Sequence, residues 1–350
     1  MKILKKGEKR MKGPKKLLAL IGTLVLVGAM LVPAAIFAAD DTVTGTFSNN
    51  NVPSIDYVQL WDTGGTPAEA TSMTPQVEYD ARVKVTDADG KTDLTTIVVK
   101  IWYDSDGGTP TEAEFNALSA GDAQTAIIIT WTETGDTYEL TEESGSTWSL
   151  GTCVTPADLT GYFQFKFTVG KVATECDGTA AKWQIAAKVT DDSSESNTWG
   201  ATSYDTQGSA IVWYGEITVT ATSVDWGTVN PGMDFAEGDP SEELIGNINY
   251  ISNGDYDEKV KSSTPWSTTA NLDATGVCTN ANEFALKADD TGTLSSAVLV
   301  DTTGVAIDTT GILTEEAGDT VTTNSLWLKL ASTFTKATYS GTITYTIANG

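Results

Sequence analysis

Between residues 76 and 108 the chain alternates. Val77, Tyr79, Ala81, Val83 and Val85 take every second position, with Glu78, Asp80, Arg82, Lys84 and Thr86 between them. A period of two sorts side chains onto opposite faces of an extended strand, and no helix would sort them so. Asp87-Ala88-Asp89-Gly90 then supplies turn chemistry. Residues 97–103 resume as a β-branched and aromatic run, which Asp104-Ser105-Asp106-Gly107-Gly108 closes with a second acidic turn. The pattern predicts two strands of one antiparallel sheet with one wet face.

The same reading predicts strands at 54–61, 125–133, 137–141, 162–169 and 182–190. In the last two, Phe163, Phe165, Phe167 and Val169, then Trp183, Ile185, Ala187 and Val189, alternate with polar residues. One short helix is expected, because Thr111-Glu112-Ala113-Glu114 has capping-box spacing and Phe115 and Leu118 share a face. Further strands follow at 216–224, 244–251, 283–288, 297–301, 325–330 and 339–348. Short strands separated by Gly and Asp turns point to an all-β protein of antiparallel sandwiches, not to a βαβ fold. Without its N-terminal leader the chain has about 310 residues, more than one core usually holds. Two tandem domains are therefore expected, 39–215 and 216–350, meeting near Tyr214-Gly215-Glu216. In the closing strand Ile343, Tyr345 and Ile347 face one way. It is either the last strand of its own sandwich or an assembly strand donated to a neighbouring subunit.

Residues 1–16 hold eight Lys or Arg against one acid, and an apolar run follows, ending in Ala34, Ala35, Ala38 and Ala39. A basic start, an apolar core and small residues at its end read as a secretory signal peptide over 1–38. An uncleaved membrane anchor is the competing reading, since about 20 apolar residues also span a bilayer. Gly22, Gly28 and Pro33 favour the signal. Without this segment 13 basic residues face 46 acidic ones, a net charge near −33. Such a field repels nucleic acid and anionic membrane surfaces, leaves no membrane contact beyond the N-terminal segment, and suits divalent cations.

Histidine is absent from all 350 residues. That excludes Ser-His-Asp and Cys-His catalysis and His-built zinc sites. Asp62-Thr63-Gly64 and Asp290-Thr291-Gly292 both spell the D-T-G of aspartic proteases, but Ala288-Asp289 before the second is not the apolar strand that motif requires. Calcium is the better ligand expectation: Asp87, Asp89, Asp93, Asp104 and Asp106 offer hard oxygen donors around two turns, though not in EF-hand order. Three cysteines in an exported chain point to one disulfide, with Cys153 and Cys176 the favoured pair and Cys278 left over. Of ten tryptophans, Trp148, Trp199 and Trp266 lie in polar surroundings and are the ones left free to be exposed as sugar platforms.

An internal echo joins the two acidic turns of the first half: Lys84-Val85-Thr86-Asp87 recurs as Lys188-Val189-Thr190-Asp191. The strand, T-D-A-D-G-K-T-D-L and strand order of 83–106 resembles the immunoglobulin-like and PKD-like modules of prokaryotic surface proteins. The W-Q-I-A-A-K-V-T-D of 183–191 fits the same picture. In the second half V-D-W-G-T-V-N-P-G and Y-S-G-T-I-T-Y-T-I are similar to sandwich modules of secreted archaeal and bacterial proteins. The resemblance implies an Ig-like fold and an extracellular, cell-surface location, and carries no catalytic residues. The expected function is structural and not enzymatic: a homo-oligomeric or polymeric subunit of a surface layer or extracellular fibre assembled through β-edges. A module binding surface glycans or other surface ligands is the alternative.

Overall fold

β1 (Ser54–Asp62) buries Ile55, Val58 and Leu60, a spacing that breaks strict alternation by one residue. The break is a bulge. Ile55 pairs with Val85 and Tyr57 with Lys84, leaving Asp56 as the extra residue, so apolar side chains on both sides of it face inward. The computed structural model describes residues 49–119, 121–238 and 241–350. The predicted signal peptide over 1–38 lies outside them. No helix among the described residues is long and apolar enough to cross a membrane.

After β1 come β2 (Ser72–Met73), β3 (Glu78–Thr86), β4 (Leu94–Asp104) and the helix α1 (Glu112–Ala117). Then follow β5 (Ala126–Thr132), β6 (Thr137–Thr141), β7 (Ser149–Leu150), β8 (Phe163–Thr168), β9 (Lys182–Asp191) and β10 (Ala210–Ile211). They form a four-stranded sheet in the order β1-β3-β8-β7, a second in the order β6-β5-β4-β9, and a parallel pair β10-β2. Between the two larger sheets lies a core of Leu60, Val83, Phe163, Phe165 and Phe167 on one side. Ile97, Val99, Ile127, Trp131 and Trp183 close it from the other. β3 and β4 were expected to pair in one sheet, and here the fold corrects the sequence. The edges of β3 are taken by β1 and β8, those of β4 by β5 and β9, so residues 87–93 cross from one sheet to the other. Nor does β4 have a wet face along its middle, because Lys100 and Trp102 are buried beneath α1. The capping box of α1 forms as its spacing predicts, with Glu114 N donating to Thr111 Oγ1 at 3.2 Å and Thr111 N to Glu114 Oε2 at 2.7 Å. Lys100 Nζ donates to the carbonyls of Phe115 and Leu118, where a cation suits the C-terminal end of a helix.

The remaining strands are β11 (Gly215–Val219), β12 (Glu242–Ser252), β13 (Tyr256–Ser262), β14 (Asn271–Leu272), β15 (Glu283–Asp289), β16 (Val298–Leu299), β17 (Val305–Gly311), β18 (Asp319–Leu330) and β19 (Ile343–Asn349). One sheet runs β11-β12-β18-β15-β14, with β16 also on β15, and another runs β17-β13-β19. Ile248, Tyr250, Val260, Phe284, Leu286, Leu326 and Leu328 fill the space between. The first core ends at Ile211, and Trp213 already packs on the second. Polar contacts close the seam: Asn253 is fully buried there, and Lys171 Nζ meets Glu216 Oε2 at 2.7 Å. By their contacts residues 50–350 make one unit.

Candidate metal centre

The crossing between β3 and β4 brings Asp87, Asp89 and Asp93 together, with carboxylate oxygens within 4.8 Å of one another. Local chemistry builds the loop. Asp87 Oδ1 accepts from Asp89 N at 2.8 Å, an Asx turn, and Gly90 adopts a φ of 93° that a side chain would resist. A short 3-10 turn, Lys91–Asp93, returns the chain to β4. Asn51 N donates to Asp89 Oδ2 at 2.7 Å, clamping the loop from the residues before β1.

Two oxygens, Asp87 Oδ2 and Asp93 Oδ2, are closed off from solvent without a hydrogen-bond partner among the described residues. The lysine within the loop does not neutralise them, since Lys91 Nζ lies 3.5 Å from Asp136 Oδ1 and donates to the Pro156 carbonyl. Burial, then the charges of Asp192 and Asp87, push the Asp93 carboxyl up to about 6. Clustered carboxylates with unused oxygens and no cation are the donor set of a hard divalent ion such as calcium.

Asp192 was missed as the neighbour whose charge acts on Asp93 of this cluster. Its amide donates to the Asp93 carbonyl at 2.7 Å, and its neighbour Asp191 pairs with Leu94 in the β4–β9 ladder. The signal was the echo of Asp87 in Asp191. Both acidic turns end their strands at the same end of the sandwich.

Asp104 and Asp106 do not join the triad. They stand at the far end of β4, and eleven extended residues span roughly 35 Å. Asp104 is satisfied where it is, accepting from Gln184 Nε2 at 3.0 Å and Asp106 N at 3.2 Å. Burial raises its carboxyl, but these bonds outweigh it and hold the group below its ordinary value.

All three cysteines are free. Cys153 Sγ contacts the Lys166 carbonyl beside β8, whereas Cys176 bridges to Ile211 well past the end of that strand, so flanking β8 in sequence does not bring the two sulfurs together. Trp148 and Trp266 are buried, with indole nitrogens donating to Ala123 O and Ser262 Oγ, and half-buried Trp199 packs on Phe115. None of the three is a free platform. Of the two D-T-G aspartates, Asp62 ends β1 and Asp290 follows β15 in another sheet. Ile343, Tyr345 and Ile347 half-bury against the second core, and β19 pairs with β13 of its own chain over seven residues.

No protein-family model matches the chain, and no curated protein matches its sequence.

Proposed function

We propose that this chain is an exported structural protein of the cell surface, a subunit that polymerises into a layer or fibre through β-edges. Its two halves are read as tandem Ig-like sandwiches, and its acidic loop over 87–93 as a calcium-binding clamp. The observation that carries the reading is β19. It lies at the edge of its sheet, hydrogen-bonded to β13 on one side and to no strand on the other among the described residues, though β11 packs close to it. An edge of this kind presents unpaired amides and carbonyls that template a further strand. The high negative charge keeps free subunits apart, and calcium at the loops screens that repulsion on assembly.

Electron microscopy of the purified protein with and without calcium tests this. Filaments or lattices that vanish when Thr344 and Thr346 are replaced by lysine support it. Dispersed particles at every calcium concentration and protein concentration reject it.

A further inference from the structure

The outer face of the β1-β3-β8-β7 sheet carries Arg82, the sole arginine of residues 49–350. Its register neighbours are Gln59 on β1 and Gln164 on β8, so the three side chains stand in one row across adjacent strands. Trp61, Asp80 and Lys166 form the next row. The guanidinium carbon lies 4.1 Å from the Trp61 ring centroid and 4.9 Å from that of Tyr162, while Nε donates to Asp80 Oδ2 at 2.8 Å. Asp80 is 1% exposed, and its other oxygen, like Trp61 Nε1, is buried without a hydrogen-bond partner among the described residues.

What remains unused is the working end. Neither Nη nitrogen of Arg82 meets an acceptor among the described residues, and the Gln59 and Gln164 amides make no hydrogen bond there either. The Arg82 side chain keeps 12% of its exposure. A surface arginine ordinarily samples many rotamers, and ordering it costs side-chain entropy. Here two rings and a buried carboxylate have already fixed it, so the fork is pre-organised for a planar, bidentate acceptor.

We propose that this sheet face binds an acidic saccharide, with a uronate carboxylate in the Arg82 fork and neighbouring hydroxyls on Gln59 and Gln164. The chemistry selects this class. A chain of net charge −26 gives no affinity for negative charge as such, so the carboxylate must arrive on a body whose hydroxyls also make neutral contacts. Amides that both donate and accept suit hydroxyl groups, and the rims of Trp61 and Tyr162 offer apolar surface beside them. A peptide would dock on a sheet edge through its backbone, not on this face. The assignment stands apart from the assembly reading and survives its failure.

Calorimetric titration of the full chain with oligogalacturonate, a neutral galactose oligomer and oligoglutamate tests it. Oligogalacturonate alone is expected to bind. Arg82→Lys, which keeps the charge and loses the fork, weakens binding by about tenfold or more. Gln59→Ala and Gln164→Ala, changes outside the core, weaken it too and decide the matter should the Arg82 variant misfold. No binding of oligogalacturonate to the folded chain, equal binding of either other probe, or affinity indifferent to all three substitutions overturns the proposal.

Discussion

Asn253 Nδ2 donates at 3.0 Å to the carbonyl of Ala173, joining the turn between β12 and β13 to the last stretch of the first core. The same nitrogen donates to Val212 O at 3.0 Å, Asn253 Oδ1 accepts from Tyr214 N at 2.6 Å, and the Asn253 carbonyl accepts from Glu175 N at 2.8 Å. One fully buried amide thus satisfies backbone groups from both sides of the seam. Asn253→Ala removes the partner of two carbonyls and an amide, the Ala173 carbonyl among them away from water. The expected cost is about 3 kcal/mol, read from the denaturant midpoint of the variant against wild type. An unchanged midpoint would mean that the seam contributes nothing to stability.

Calcium should raise the melting temperature through Asp87, Asp89 and Asp93 alone. At a hundredfold excess over Kd the gain is about 2.7 kcal/mol. Asp87→Asn and Asp93→Asn abolish it, while Asp104→Asn and Asp106→Asn leave it intact because those residues sit at the other end of β4. Protons compete with the cation. With Asp93 raised to about 6, affinity is full above that pH and falls as pH drops through it. Calcium titrations at pH 5 and pH 7.5 check the sign, and a melting curve indifferent to chelator removes the site.

The strands that sequence reveals are those whose inward side is uniformly apolar. Phe163, Phe165 and Phe167 on β8, and Trp183, Ile185 and Ala187 on β9, announce themselves by alternation and are buried as expected. β13 stays hidden because its inward positions are Tyr256, Glu258, Val260 and Ser262, a mixed set that reads as loop. Pairing is a different matter from existence. Nothing in the run from β3 to β4 says that neighbours in sequence face each other across the core, since the hydrogen-bond edges of both are claimed by strands far along the chain. The metal loop was legible as three aspartates in one turn. The neighbouring acid, Asp192, and the clamp from Asn51 come from tertiary pairing alone. Arg82 reads simply as a wet-face residue until its two aromatic neighbours are placed over it.

Chain purified without reductant and then denatured should titrate three thiols, the full cysteine count. A Cys153–Cys176 bridge would leave one. In the native state Cys278 should be the slowest to alkylate near neutral pH, because burial and then the nearby Asp273 push its thiol up to about 11 and leave little thiolate. Mass spectrometry after timed iodoacetamide labelling separates the three sites.

The pH dependence of stability should be governed by a carboxyl in the second core. Glu258 is 1% exposed on the inner side of β13, and its Oε2 has no hydrogen-bond partner among the described residues. Around it stand Tyr250 from β12, Tyr345 from β19 and Asp308 from β17, with Asp319 of β18 and Asp290 beyond β15; none of these offers a cation. Burial, reinforced by those aspartates and only partly offset by the Tyr250 hydroxyl, pushes the group up to about 7. The folded state therefore favours the neutral carboxyl. Its contribution is fully present below the unfolded value near 4.5 and is lost as pH rises through about 7. Between pH 5 and pH 9 the wild type should lose about 2–3 kcal/mol that Glu258→Gln retains. Because Tyr345 lies against this carboxyl, hydrogen exchange in β19 should quicken over the same interval in the wild type and stay flat in the variant. Parallel pH profiles for the two proteins would show that Glu258 does not titrate in the core.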